Sequence, residues 1–327
     1  SFNLITVSTT ETPHNIFSRI DDSTVFNNFS DTTRPCRYVS TATINVTSTG
    51  KLVLESCTLE INSTTNDGQY DLFILGQLVA NYSNITRGNS KNYEFILDTD
   101  SGSQILNSFI SFTGKSAIKG QRGLEIYSNN LTFRNNTLMR AWEANAEIFA
   151  NRVELTSSRF VVPTGSTNYN LYILSNDSRI VDSNLSSAAL ADIVLDPAAN
   201  VTVLNSNYSS HSISGTAGAT LYRQWYVDVF VRDTTGNAIA NATVYFNNRT
   251  GNLVLNFLTN SSGNIIRRNV TEYFANSTAK NYETNYTVNV SKLGYGEEVQ
   301  SLNLSNSANL TFITLSNPAP SFTIHSL

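Results

Sequence analysis

A two-strand unit that recurs along the middle of the chain restricts the fold more than any other feature. Leu52-Val-Leu-Glu-Ser-Cys-Thr-Leu59 and Ile105-Leu-Asn-Ser-Phe-Ile-Ser-Phe112 each set apolar residues before a polar turn and a second apolar strand. Further copies are Leu131-Thr-Phe-Arg-Asn-Asn-Thr-Leu138, Val153-Glu-Leu-Thr-Ser-Ser-Arg-Phe160, Ile180-Val-Asp-Ser-Asn-Leu185 and Val201-Thr-Val-Leu-Asn-Ser-Asn-Tyr208. From Leu131 onward the copies stand about 22 to 27 residues apart, and the interval from Leu52 to Ile105 holds two such units. A repeat of that length describes stacked units that bury a core only together. Helical periodicity is nearly absent. The one helix-friendly stretch, Leu138 to Val153, also reads as a rung of sheet. Elsewhere β-branched and aromatic runs alternate with Asn, Ser and Gly turns, which makes the chain all-β.

Residues 40–210 resemble right-handed parallel β-helix proteins of the pectin-lyase-like kind, in particular their degenerate copies in archaeal surface proteins. A break follows at His211-Ser-Ile-Ser-Gly-Thr-Ala-Gly-Ala219, small and polar as a linker is. Val227-Asp-Val-Phe-Val-Arg-Asp233 then alternates strictly before Thr-Thr-Gly-Asn237, and Ile239-Ala-Asn-Ala-Thr-Val-Tyr-Phe246 supplies a second strand. A turn at Asn260-Ser-Ser-Gly-Asn264 precedes Tyr286-Thr-Val-Asn-Val-Ser-Lys-Leu-Gly-Tyr295, and Leu310-Thr-Phe-Ile-Thr-Leu315 closes the series. This order resembles carboxypeptidase-regulatory-like and related immunoglobulin-like sandwiches, which implies a spacer or adhesion module without catalysis. The expected organisation is an N-terminal strand segment and cap (1–39), a β-helix-like repeat domain (40–210), a small antiparallel β-sandwich (220–315) and a C-terminal tail (316–327).

Asn followed one residue later by Ser or Thr, the N-glycosylation acceptor, occurs 20 times among 42 Asn. The sites are Asn28, Asn45, Asn62, Asn81, Asn84, Asn130, Asn135, Asn176, Asn184, Asn200, Asn207, Asn241, Asn248, Asn260, Asn269, Asn276, Asn285, Asn289, Asn303 and Asn309. Ser and Thr make up 77 of 327 residues, so chance placement gives about 10 such triplets, half the number present. The excess points to a secreted chain carrying covalent N-glycans on exposed turns. Nine sites fall in the 112 residues after Gly215 and 11 in the 215 up to it. Sequon-poor stretches remain at both termini, from Arg87 to Asn129 and from Leu138 to Ser175; contacts with other molecules are expected there.

Charged residues are only 14% of the chain and the net charge is −4, which leaves no basic stripe for nucleic acid or an anionic membrane surface. A surface so short of charge stays soluble through hydroxyls, amides and glycans, and would tolerate acid surroundings. Leu72-Phe-Ile-Leu-Gly-Gln-Leu-Val-Ala80, the longest apolar stretch, is too short to span a membrane. Ser1 is the expected mature N-terminus, and Ser1-Phe-Asn-Leu-Ile-Thr-Val-Ser-Thr-Thr10 does not read as the long apolar helix of type IV pilins. Cys36 and Cys57 form an isolated pair, expected as one disulfide of an oxidising compartment.

Catalysis and metal binding find little support. Asp21-Asp22 and Asp98-Thr-Asp100 are the tight carboxylate groupings; Asp98-Thr-Asp-Ser-Gly102 lacks the further acids of a calcium loop and reads as a turn. His14, His211 and His325 stand singly. No nucleophile elbow, phosphate loop or zinc helix motif occurs. Aromatics such as Tyr169, Tyr172, Tyr222, Trp225 and Tyr226 suit a β core or a sugar-stacking row. No catalytic residue, metal or other cofactor is assigned. The termini carry the sharper expectation. Pro318-Ala-Pro-Ser-Phe-Thr-Ile-His-Ser-Leu327 sets two prolines before a short extended run, and either end could add as a strand to a neighbour's sheet. Heterologous contacts of that kind propagate into a filament. Archaeal thread-like pili, whose glycosylated β-subunits are joined by a donated strand, resemble this scheme. The expected function is thus a structural subunit that assembles with other copies of itself on the cell surface. The alternatives are a carbohydrate-binding adhesin or a β-helix polysaccharide-degrading enzyme.

Overall fold

The computed structural model describes residues 4–20, 22–33, 35–98, 102–161, 168–186, 188–215 and 218–314. It divides into two units, Ser1–Leu221 with Asn276–Thr278, and Tyr222–Ala275 with Ala279–Leu327. In the first unit the repeat winds into coils of three short strands. One face stacks Leu4–Val7, Thr43–Val46, Leu72–Ile74, Phe95–Leu97, Leu124–Ile126, Ala144–Ile148, Tyr169–Ile173, Ala191–Leu195 and His211–Ile213. The second stacks Thr10–Glu11, Lys51–Glu55, Gln77–Asn81, Ser103–Leu106, Leu131–Arg134, Glu154–Thr156, Ser178–Val181 and Asn200–Leu204. The third stacks Arg37–Ser40, Thr58–Ile61, Asn84–Arg87, Phe109–Ser111, Thr137–Met139, Arg159–Val161 and Asn184–Leu185. All these neighbours pair in parallel, the arrangement of a β-helix of about six turns.

Down the first face Ile44 stands in register with Leu72, Phe95, Leu124, Ala146, Leu171 and Ile193, in steps of 28, 23, 29, 22, 25 and 22 residues. Matching columns run from Leu54 to Val203 on the second face and from Tyr38 to Leu185 on the third. Every residue of the first column is fully enclosed. Each of the larger side chains in the column contributes roughly 1.5–3 kcal/mol of transfer free energy, and only because a coil lies on either side of it. The strands hold nearly constant length, so the uneven steps are taken up in loops. The copy implied between Leu52 and Ile105 is Gln77–Asn81, whose Ala80 pairs with both Leu54 and Ile105.

The corner between the second and third faces explains the Asn and Ser of the repeat. Ser56, Tyr82, Asn107, Asn135, Ser157, Asp182 and Asn205 all adopt the left-handed conformation, with φ from 46° to 57°. Asn, Asp and Ser are the side chains that tolerate this geometry most readily in turns. The next residue of each copy turns inward and forms a ladder. Ser83 Oγ accepts from Cys57 N–H (3.2 Å) and Ser108 Oγ from Ser83 N–H (3.1 Å). Asn136 Oδ1 accepts from Ser108 N–H (2.9 Å), and Ser158 Oγ from Asn136 N–H (3.2 Å). Ser183 Oγ accepts from Ser158 N–H (3.0 Å) and Ser206 Oγ from Ser183 N–H (2.9 Å). Most of these hydroxyls donate back to the carbonyl two residues earlier, as Ser183 Oγ does to Val181 O at 2.8 Å. Both roles of the hydroxyl are then filled within the core. Cys57 occupies the first rung of this ladder, and its disulfide to Cys36 spans 4.7 Å between Cα atoms. Closing that loop stabilises by roughly 3 kcal/mol in the chain-entropy model.

The segment before the repeat also belongs to the first unit. Leu4–Val7 pairs with Thr43–Val46, and Thr10–Glu11 with Lys51–Leu52. A helix, Pro13–Arg19, follows. The helix-friendly stretch Leu138–Val153 takes its other expected form, a rung of sheet (Thr137–Met139 and Ala144–Ile148). Local capping decides the true site. Thr12 accepts from Asn15 N–H, Pro13 opens the helix, and Ile16 is buried while Arg19 pairs with Glu11. Seven residues are too few to show a 3.6 period.

In the second unit, Thr220–Asp233 lies between Asn264–Ala275 and Ala308–Thr314, with Lys280–Tyr282 beyond. The second sheet runs Leu253–Leu258, Thr243–Asn247, Tyr286–Ser291, Glu298–Leu302, antiparallel throughout. Ala308–Thr314 pairs in parallel with Val227–Asp233, a departure from the expected all-antiparallel sandwich. Alternation holds here: Val227, Val229 and Val231 meet Val244, Phe246, Val288, Val290 and Phe312 in one apolar core. Phe246 contacts Phe257 and Tyr286 edge-on, at 6.3 and 6.2 Å between centroids.

Candidate functional site

Carboxylates that the sequence keeps apart come together on the first face of the β-helix. Asp71 and Glu94 immediately precede strands on consecutive coils, and Glu125 pairs in register with Glu147 on the two coils that follow. Asp71 accepts from Glu94 N–H at 2.8 Å, and Lys115 Nζ reaches Glu94 at 2.7 Å. Glu147 accepts from Gly120 N–H, Arg122 N–H and Arg122 Nη1 at 2.9, 3.1 and 2.8 Å. Glu125 takes the Tyr127 hydroxyl at 3.2 Å on one oxygen, and its other oxygen has no hydrogen-bond partner among the described residues. Burial, then the neighbouring Glu94 and Glu147, push Glu125 up to about 8. Burial likewise raises Asp71 to about 6. Motif reading missed this group because its members are 22 to 31 residues apart; the coil length was the signal that could have found it.

What this cluster can do is limited by its enclosure. Asp71, Glu94, Glu125 and Glu147 are 7, 6, 1 and 0% exposed. An acid pair that works on a polymer must face a groove, whereas these carboxylates hold the 113–123 segment onto the sheet. Among the described residues no group of three or more His, Cys, Asp or Glu is placed to hold a metal ion. Of the expected acid groupings, Asp22 caps its own turn by accepting from Thr24 N–H at 2.9 Å. Asp21 and Asp100 lie outside the described residues. His14 sits 3.3 Å from the Tyr38 hydroxyl and His211 edge-on to Tyr208, while His325 lies outside the described residues. Of the aromatics, Trp225 is buried and donates its indole N–H to Glu272 at 2.7 Å, and Tyr172 lies under the Arg122 guanidinium at 4.3 Å.

The sequon asparagines sort by exposure. Twelve are exposed, namely 130, 135, 176, 184, 207, 241, 260, 269, 276, 285, 303 and 309, and the other eight are half-buried. None of the twenty is buried. The buried asparagines among the described residues, Asn92, Asn136, Asn145 and Asn170, all stand outside sequons. They serve the interior: Asn145 donates to Asn170 at 2.9 Å, and Asn170 to Asp192 at 2.9 Å.

Sheets in both units end in edge strands, and one of these, in the second unit, is apolar. Leu253–Leu258 ends its sheet and pairs on one side with Thr243–Asn247. Leu253, Val254 and Leu258 are 54, 40 and 62% exposed, while Leu255 and Phe257 pack against the core. An apolar strand at a sheet edge is a template for another chain. Of the two expected donors, Leu4–Val7 is already paired within its own chain, with Ile5 and Val7 buried. The tail 318–327 lies outside the described residues.

No protein-family model matches the chain, and no curated protein matches it by sequence. Among solved structures it is similar to a point mutant of the periplasmic alginate epimerase AlgG, at 12% identity and a TM-score of 0.43 over 70% of this chain. The alignment spans 65% of that enzyme's length. The β-helix assignment rests on the parallel registers themselves, and these make the first unit a β-solenoid.

Proposed function

We propose that this chain is a structural subunit of an extracellular filament or surface layer, coated with N-glycans and joined copy to copy through strand edges. The observation that carries this reading is the Leu253–Leu258 edge, with three large apolar side chains facing solvent. Soluble proteins blunt such edges with charge, proline or cover, and this strand carries none of these within its six residues. A terminal strand from a neighbouring copy would complete the sheet, the scheme of archaeal thread-like pili. The docked Leu4–Val7 strand favours the tail as the donated segment. The twelve exposed sequons support the glycan coat; Asn248 and Asn260 flank the edge strand, so this contact falls outside the sequon-poor stretches expected for it, and the disulfide fits an oxidising compartment. The enclosed carboxylates support a non-catalytic role.

The test is polymerisation of the purified chain, followed by electron microscopy and sedimentation. Val254→Lys with Leu258→Lys should block end-to-end growth and leave the monomer folded, since both side chains are exposed. Deleting 318–327 should do the same if the tail is donated. Removing 1–12 should instead destabilise the first coil, because Ile5 and Val7 are buried there. Unchanged fibres from the double lysine variant would refute the edge assignment. Glycopeptide mass spectrometry on material from the native source reads the coat directly.

A further inference from the structure

One side of the β-helix takes no part in growth through the second-unit edge. Of the eight large apolar side chains exposed on the first unit among the described residues, only Phe29 and Tyr82 stand away from the first face and its two edges. Trp142 and Leu190 come shortly before first-face strands, and Leu75 and Tyr127 directly after others, at 43, 63, 43 and 38% exposure. Ile118, 65% exposed, belongs to the 113–123 segment, which lies across this face through Gly120 N–H on Glu147 and Lys119 on Asp196. Sequons avoid the same side. The eight from Asn81 to Asn207 keep to the second and third faces and the corners that bound the second, while Asn45 and Asn62 belong to the first coils.

The two edges of this face match each other coil by coil. Around Phe95–Leu97 the edge before the strand carries Lys91 and the edge after it Asp98, and neither has an ion-pair partner among the described residues. Around Leu124–Ile126 the edges carry Ile118 and Tyr127. Around Ala144–Ile148 the first edge holds Trp142 and Glu143, and the second Phe149 and Arg152. Tyr127 and Phe149 stack at 4.3 Å, so the second edge is continuously aromatic across two coils. Arg87 and Arg140 lie over the Phe112 ring at 3.6 and 5.6 Å, engaged within their own chain. A two-fold axis parallel to the solenoid lays the edge before each strand of one copy against the edge after the same strand of another. Cation then meets carboxylate and apolar meets aromatic, each pairing formed twice. The size is also sufficient. The coils from Leu75 to Leu190 span about 24 Å and the face is about 20 Å wide, so two copies would bury roughly 1,000 Å², the lower bound of a specific interface.

We propose that the first face pairs two copies of this chain side by side, Lys91 of each against Asp98 of the other and Ile118 against Tyr127. The sequon pattern rests on the glycan coat proposed above, and the matched edges do not. The test is sedimentation equilibrium of the full chain carrying Val254→Lys with Leu258→Lys, which removes growth through the second-unit edge. That chain should pass reversibly from monomer to dimer at micromolar concentration. Ile118→Lys should weaken the dimer about tenfold or more, by setting a charge in the middle of the contact. Lys91→Glu and Asp98→Lys should each weaken it about fivefold or more, and the two together should restore it to within about twofold. None of the three side chains is buried, so thermal midpoints should not move, which separates lost pairing from lost fold. A chain that stays monomeric, a dimer indifferent to Ile118→Lys, or a charge swap no better than its single members would each overturn the pairing. Fibres that persist in the Val254→Lys, Leu258→Lys chain would sink the edge assignment alone. Lateral doubling of those fibres, lost in Ile118→Lys, would then uphold the pairing, and single fibres would overturn it.

Discussion

The two units solve the same problem, an all-β interior, with opposite chemistry. The β-solenoid buries 24 polar or charged side chains among the described residues, and the sandwich buries one, Thr259. The reason lies in what each side chain meets. In a solenoid every residue has a near copy of itself one strand spacing above and below, about 4.8 Å away, so a serine finds a backbone N–H at each rung. In a sandwich the inner face meets a second sheet about 10 Å off whose side chains follow a different register. A polar group there finds no repeated ladder of partners; Thr259 is held singly, donating to Ile239 O and accepting from Ala242 N–H, and the rest of the interior is mostly apolar. Edges differ in kind: one solenoid sheet ends on the short strands Leu4–Val7 and His211–Ile213, whereas the four-stranded sheet of the second unit ends on the apolar Leu253–Leu258.

Substitution at the two kinds of core sets this contrast on a scale. Phe246→Ala in the sandwich should cost about 3–5 kcal/mol, because the ring is fully enclosed and two aromatic neighbours lose their contact. Ser183→Ala in the solenoid should cost less, about 1–3 kcal/mol, by leaving Ser158 N–H without its acceptor. Denaturant midpoints of each variant measure both. Equal losses, or a neutral Ser183→Ala, would show that the ladder is not what holds the corners. Ser183→Cys should fall between wild type and Ala, since sulfur accepts weakly.

Acid and base should separate the units with a smaller effect. Glu125 is raised to about 8 from an unfolded value near about 4.3, so the folded solenoid binds the extra proton. Its contribution to stability is therefore full below about pH 4 and is lost as pH rises through 8. Asp71, raised to about 6, acts in the same sense. Asp233 in the sandwich is the reverse. Hydrogen bonds from Asn237 and Thr235 hold it at about 2, so its contribution is present above about pH 3.9 and is lost as pH falls through 2. Thermal scans from pH 2 to 9 should show the solenoid weakening toward the alkaline end, with Glu125→Gln flattening that slope. The sandwich should weaken in strong acid, less so in Asp233→Asn. A solenoid midpoint that rises between pH 6 and 9 would contradict the protonated Glu125.

The particular elements that were legible in sequence are those specified by near neighbours. Val227, Val229 and Val231 alternate because a strand does, and the Asn or Ser corner of most copies is carried by adjacent residues. The pairing of Cys36 with Cys57 followed from there being no other thiol, and the sequons from three adjacent residues. The seven-residue helix at Pro13 was missed because its signal is a cap and a proline rather than a period. Sequence alone thus determined an all-β chain of coiled repeats followed by a sandwich. Tertiary structure alone decided that Asp71, Glu94, Glu125 and Glu147 share one buried patch, and that Arg87 and Arg140 meet at Phe112. The cause is register. Residues that touch across coils are 22 to 29 positions apart by steps that vary with each loop, and only the pairing register of the strands, where a one-residue slip turns every side chain to the other side of its sheet, fixes which of them meet.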